Sequence, residues 1–201
     1  MKRTILAGLV AGTVAFMWGG LSWSLLPFQT GKIKTMPNEV AIAEFLAKTL
    51  PGEGVYQYPG DPDPASGDAG LQEAMQRYER GPVVPLLVYK PGPGSMNLAA
   101  FVARGLGANL LAGVLLAMVL ALMAPAYDAY WSRVGVVGLI ATFATLITHV
   151  PYWAWGSFPT SYTLIVVIDA ILAWLVAGMV LVRLLRPAGV PAVATRSLAT
   201  A

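Results

Sequence analysis

The sequence predicts an all-α membrane bundle of four transmembrane helices, with a small α+β extracytoplasmic domain inserted between the first helix and the second. Of its 201 residues, 57% are hydrophobic and 11% are charged, whereas soluble domains carry roughly 25% charged residues. Four apolar runs each hold roughly 20 residues or more, enough to cross a hydrocarbon core of about 30 Å. Eight of the ten acidic residues lie between the first run and the second, which indicates a water-exposed segment there.

Several classes of function are excluded by the residue types that the chain lacks. The chain has no cysteine and one histidine. Without cysteine there is no disulfide, thiol nucleophile or thiolate metal site, and a single histidine excludes a multi-histidine metal centre or a bis-histidine haem within the chain. The net charge of +3 does not favour nucleic acid as a partner, and no phosphate-binding loop, dinucleotide fingerprint or hydrolase motif is present. We therefore expect a protein that is not an enzyme and that holds no metal or cofactor of its own.

The first predicted helix, TM1, occupies residues 1–28. Its charged start, Met1-Lys2-Arg3, followed by an apolar run, is also typical of a signal peptide. The run is longer than a normal signal-peptide core and no A-x-A cleavage site follows it, so we predict a retained helix. Small residues recur at alternating steps of four and three, forming a face that lets another backbone approach closely; they are Gly8, Gly12, Ala15, Gly19 and Ser22.

Residues 29–95 form the predicted α+β cap. Pro37 near a helix start and Glu39 and Glu44 in its first turns favour a helix there. Glycine and proline residues divide the rest into short segments. In chain order the predicted elements are a helix over 38–50, a strand over 54–58, an acidic loop over 59–70, a helix over 71–80 and a strand over 83–90.

The other three predicted helices form the bundle of residues 96–187, followed by a predicted cytoplasmic tail over 188–201. TM2 is predicted over 97–124, TM3 over 134–155 and TM4 over 161–185, with 127–133 as the connection between TM2 and TM3. TM2 carries a second stripe of small or short polar residues at steps of four, which consists of Gly105, Asn109, Gly113, Ala117 and Ala121.

The basic residues predict the orientation of the helices, because cytoplasmic ends carry an excess of Lys and Arg. Three basic residues flank the helices on the side of the cap, and six lie on the opposite side. This asymmetry predicts a multi-pass protein of the bacterial inner (cytoplasmic) membrane, with both termini cytoplasmic and residues 29–95 periplasmic. The six are Lys2, Arg3, Arg133, Arg183, Arg186 and Arg196, and the three are Lys32, Lys34 and Lys90.

Four polar residues within the predicted helices form a candidate intramembrane cluster: Arg104, Asn109, His149 and Asp169. A rise of 1.5 Å per residue places Arg104, His149 and Asp169 about 9–12 Å from the outer ends of their helices. A charge at the centre of a membrane helix costs about 2.5–3.5 kcal/mol, so Asp169 should face the bundle with a partner, for which Arg104 and His149 are the candidates.

Three interpretations of this cluster stay open. It is either a functional site, in which His149 and Asp169 handle a proton or a ligand and Arg104 holds an anion, or a buried ion pair that sets helix register while Arg104 extends toward the surface. In the third interpretation His149 is an axial ligand to a haem or chlorin shared with a partner.

Aromatic residues gather at the predicted outer interface, where such side chains usually anchor membrane helices. Their density between TM3 and TM4 also suits docking of the cap, a lipid head group or a partner helix. The predicted belt consists of Trp18, Trp23, Tyr152, Trp153, Trp155, Phe158 and Tyr162.

Several short motifs together resemble a group of small bacterial four-helix inner-membrane proteins of unassigned function. The resemblance implies a four-helix protein with one outer domain and supplies no activity. The motifs are Trp18-Gly19 with Ser22-Trp23 and Leu26-Pro27, then Asn38-Glu39, Gly54-Val55-Tyr56, the run HVPYWAW from His149, Phe158-Pro159 and Tyr162-Thr163.

Two functions are compatible with these predictions. The first is a non-catalytic accessory or structural subunit of a larger membrane complex, of respiratory or photosynthetic type, whose partners are the lipid bilayer and other membrane subunits. The alternative is a small transporter, or a sensor of a solute or lipid, that uses Arg104, His149 and Asp169.

Overall fold

The computed structural model describes residues 1–27, 29, 31–92, 94, 96–123 and 129–185, so the predicted tail over 188–201 lies outside the described residues. The chain is mostly helical, and four of its helices are long and apolar enough to cross a membrane, as predicted. The elements are α1 (Lys2–Leu25), α2 (Glu39–Thr49), β1 (Gly54–Tyr58), α3 (Gly67–Arg80), β2 (Val84–Tyr89), α4 (Leu98–Met123), α5 (Tyr130–Ala154) and α6 (Thr160–Leu184).

The chain divides into two compact units, and the first comprises Met1–Leu25, Ala99–Thr145 and the chain from Ile168. Within it, α1 and α4 touch through glycine. A Cβ placed on Gly8 would lie 2.6 Å from Cα of Val114, one on Gly12 would meet the backbone of Asn109, and one on Gly113 would meet the backbone of Gly8. Because only hydrogen fits at these points, close approach is confirmed at Gly8 and Gly12 of the first predicted stripe and at Gly113 of the second. The stripes are not in contact throughout, since Gly19 has nothing within 4 Å of an added Cβ and Ala121 is exposed.

In the same unit, α5 and α6 pack together where a glycine of each helix faces a larger side chain of the other. A Cβ on Gly178 would lie 2.6 Å from Cγ1 of Val137, and a Cβ on Gly138 would lie 3.0 Å from Cδ2 of Leu175. The buried core that joins the four helices consists of Ala7, Ala11, Ala15, Leu116, Ala117, Leu120, Val134, Val137, Ala177, Leu181 and Val182.

Two arginines satisfy carbonyl groups at the C-terminal end of α6. Nε of Arg3 donates to the carbonyl of Leu184 at 3.1 Å, and Nη1 of Arg133 donates to that of Leu185 at 3.4 Å. The last carbonyls of a helix have no partner within it and carry partial negative charge, so cations are stabilising there. The predicted start of TM3 at residue 134 was four residues late, because Tyr130–Arg133 are helical and Arg133 is 5% exposed.

The second unit comprises Leu26–Leu98 and Leu146–Val167. Strands β1 and β2 form a two-stranded antiparallel sheet in which Gly54 pairs with Tyr89 and Tyr56 with Leu87. The predicted loop over 59–70 ends too late, since α3 begins at Gly67 rather than at residue 71. Oδ1 of Asp63 accepts from the backbone N–H of Ala65 at 2.8 Å, which stabilises a short 3₁₀ turn immediately before α3.

Candidate functional site

The side chain of Asp169 is a buried acidic group on α6, in the first unit. It is 5% exposed. Its Oδ1 accepts one hydrogen bond from Nε1 of Trp18 at 2.9 Å and another from Oγ of Ser22 at 2.5 Å. Trp18 and Ser22 are four residues apart and therefore share a face of α1. We call these three residues the Asp169 clamp.

The partners of Asp169 differ from the candidates that the sequence suggested. In the part of the chain that the structure describes, the pair of Lys48 and Glu44 at 3.8 Å is the ion pair within 4 Å, so Arg104 forms none with Asp169. Trp18 was assigned to the interfacial belt because tryptophan is common there, but it is half-buried and donates to Asp169. The only signal for this role was the spacing of two donors, Trp18 and Ser22, on the face that also carries the small residues.

The other predicted polar residues of the first unit are satisfied by their own helices or face outward. Nδ2 of Asn109 donates to the carbonyl of Gly105 at 2.9 Å, and Oγ1 of Thr142 donates to the carbonyl of Gly138 at 2.8 Å. The side chain of Arg104 is exposed on α4. Within the first unit, Asn109 and Asp169 therefore have different hydrogen-bond partners.

His149 lies in a pocket of the second unit, built on the end of α5, the start of α6 and strand β2. The pocket has a volume of about 220 Å³, and His149 is half-buried in it. We call it the His149 pocket. Its lining consists of Leu86, His149, Tyr152, Phe158, Tyr162, Thr163 and Val166.

Three aromatic rings form one wall of the His149 pocket. The ring of Phe158 lies 5.5 Å from that of Tyr152 and 5.9 Å from that of Tyr162, measured between centroids. These separations fall in the range of favourable tilted ring pairs. Of the predicted belt, Tyr152, Phe158 and Tyr162 line the pocket, whereas Trp23, Trp153 and Trp155 are not among its lining residues.

The turn between α5 and α6 holds Phe158 in place. The backbone N–H of Phe158 donates to the carbonyl of Tyr152 at 3.2 Å, and a Cβ on Gly156 would lie 2.7 Å from that same oxygen. Ser157 has φ of +53°, a left-handed conformation that is uncommon outside glycine. The hydroxyl groups of Ser157 and Tyr78 are hydrogen-bonded at 2.5 Å, so α3 helps to fix the turn.

Trp153 fastens the two helix ends beside this turn. Its Nε1 donates to Oγ1 of Thr160 at 3.0 Å.

Among the described residues, no group of three or more His, Cys, Asp or Glu side chains is placed to hold a metal ion. The haem or chlorin interpretation of His149 stays a prediction.

Comparison with protein-family models, curated proteins and solved structures finds no match. The candidate roles below are therefore argued from the Asp169 clamp, Arg104 and the His149 pocket.

Proposed function

We propose that the chain is a non-catalytic accessory subunit of a larger assembly in the bacterial inner membrane. In this proposal both termini are cytoplasmic, and residues 29–95 form an extracytoplasmic domain. The small inner-membrane proteins that the sequence resembles would then share this architecture. The observation that carries the proposal is a contrast between two charged residues of the first unit. Asp169 is buried and accepts hydrogen bonds from α1, whereas the side chain of Arg104 is exposed.

The Asp169 clamp supports a structural role for the buried acidic group. Both donors come from α1 and both reach Oδ1, so the clamp fastens α1 to α6. Oδ1 is thus engaged by α1, and among the described residues Arg104 forms no ion pair with Asp169. The alternative, a small transporter or solute and lipid sensor that uses Arg104, His149 and Asp169 together, receives less support for this reason.

Arg104 supports a partner on the outer face of α4. It lies six residues into that helix, about 9 Å along its axis, and its side chain is exposed. One turn further, a Cβ on Gly107 would meet nothing within 4 Å, and Leu111 beyond it is 63% exposed. An open glycine lets another helix approach closely, and a guanidinium in that setting favours a carboxylate from the partner.

The basic end of the first unit supports the proposed orientation. Arg3 and Arg133 donate to the carbonyls of Leu184 and Leu185 at the end of α6, and Arg183 directly precedes these two residues. The start of α1, the start of α5 and the end of α6 are thus together, and all of them carry positive charge. Such an excess is typical of cytoplasmic ends.

Photo-crosslinking in native membranes tests the proposed partner. A crosslinking amino acid at Leu111 should give one discrete protein adduct, and the same group at Leu139, which is 73% exposed on α5, should give lipid adducts. Arg104→Leu should abolish the protein adduct, whereas Arg104→Lys should retain part of it, because Lys keeps the charge but not the paired geometry. A monodisperse monomer in mild detergent, with lipid adducts at both positions, would contradict the proposal.

A further inference from the structure

The His149 pocket is a second candidate site, and nothing in the proposed assembly role uses it. Its volume of about 220 Å³ limits what it can take. Drug-sized ligands occupy pockets of roughly 300–1,000 Å³, whereas a cavity of roughly 150 Å³ holds benzene. The space therefore suits a single substituted six-membered ring.

The side chains of the pocket define the polarity of that ring. His149, Tyr152, Tyr162 and Thr163 can each donate a hydrogen bond in their neutral forms. None of the described lining residues carries a carboxylate, a guanidinium or an ammonium group. A neutral ring that carries hydrogen-bond acceptors matches these donors.

The walls favour a planar ligand that comes from the bilayer. Phe158 is held between Tyr152 and Tyr162 by ring contacts and by the turn, so one wall is preformed. Leu86 and Val166 complete the apolar part of the lining. Because α5 and α6 are long and apolar enough to cross a membrane, a ligand dissolved in lipid can reach their ends.

We infer that the His149 pocket binds the head group of a membrane-soluble quinone, with ring carbonyl oxygens accepting hydrogen bonds from His149 and the neighbouring hydroxyl groups. Quinones are neutral and planar and carry carbonyl acceptors on one ring. Binding requires no electron transfer and no partner subunit. This inference is independent of the proposed assembly role.

Photolabelling of the full chain in nanodiscs tests the inference, with an azido derivative of decylbenzoquinone as the probe. Labelling should saturate and map to residues 146–167. Decylbenzoquinone should compete at least tenfold better than decylbenzene, which has the same size and tail but lacks the carbonyl groups. Equal competition by the two compounds, or labelling spread evenly over the four membrane helices, would overturn the inference.

Two variants with different defects separate binding from folding. His149→Leu removes a donor and should weaken binding about three- to tenfold, the effect of one neutral hydrogen bond. Val166→Phe keeps every donor but fills the pocket, and it should abolish saturable labelling. Tyr130→Phe, which removes a hydroxyl that donates to the carbonyl of Met179 outside the pocket, is the matched control and should bind as the parent does. Parent-like labelling of either pocket variant refutes the inference, because His149→Leu and Val166→Phe alter the site in unrelated ways.

Discussion

Nε1 of Trp18 donates to Oδ1 of Asp169 at 2.9 Å, a hydrogen bond between residues 151 positions apart in the sequence. Ser22 adds a second donor to the same oxygen, one turn further along α1. A buried acidic side chain in a membrane helix is a functional candidate by default, but here Oδ1 already accepts two hydrogen bonds from within the protein. The clamp therefore links the first membrane-spanning helix to the last one described.

Substitution of Asp169 separates a structural from a functional role. Asp169→Asn keeps an oxygen that can accept from Trp18 and Ser22, so we expect a folded protein that assembles normally. Asp169→Leu removes the acceptor that Nε1 of Trp18 and Oγ of Ser22 share and should lower stability by about 1–3 kcal/mol. Thermal unfolding in nanodiscs measures both variants. A fully folded Asp169→Asn that has lost all function would instead support the transporter or sensor.

Glycine substitutions test the contact between α1 and α4. Gly12→Ala places a methyl group against the backbone of Asn109 and 2.7 Å from Cα of Leu110, and we expect a loss of about 1–3 kcal/mol from overpacking. Gly20→Ala lies on the same helix with nothing within 4 Å of the added group. It should leave stability unchanged or raise it by up to about 1 kcal/mol. Equal melting temperatures for the two variants would argue against close packing at Gly12.

Arg133 should contribute more to stability than the nearby Arg183. Arg133 is 5% exposed and donates to the carbonyl of Leu185, whereas Arg183 is exposed. We expect Arg133→Leu to cost about 1–3 kcal/mol, since the carbonyl loses a charged donor, and Arg183→Leu to stay within about 0.5 kcal/mol. Chemical unfolding of each variant provides the measurement. The prediction fails if the two substitutions have the same effect.

The proposed orientation can be checked with single cysteines, because the chain has none of its own. Asp61 and Lys2 are both exposed, so a thiol at either position is open to reagent. A membrane-impermeant maleimide should label Asp61→Cys in spheroplasts and Lys2→Cys only after permeabilisation. The reverse pattern would place the inserted domain in the cytoplasm.

Much of the fold follows from local signals in the sequence. Four apolar runs predict the four long helices, and the spacing of Gly8, Gly12 and Gly113 predicts a face for close approach on α1 and another on α4. These features can be predicted because they depend on the helical period and on residue size within one segment of the chain. The strands were predicted within one residue of β1 and β2 for the same reason.

The Asp169 clamp and the His149 pocket depend on contacts between distant segments, which local patterns do not specify. Trp18 carried the usual signal of an interfacial anchor, and nothing in its own segment pointed to Asp169. The pocket required Leu86 of β2 to lie beside the ends of α5 and α6. The starts of α3 and α5 were missed because Asp63 and Arg133 make contacts that favour helix in segments rich in polar or turn-forming residues.

The link between α1 and α6 has a consequence for biogenesis. Chains enter the membrane from the N-terminus during synthesis, so α1 can settle against α4 through Gly8 and Gly12 as soon as α4 is inserted. The hydrogen bonds from Trp18 and Ser22 to Asp169 form only after the last described helix has been made. Completion of the clamp thus coincides with completion of the bundle.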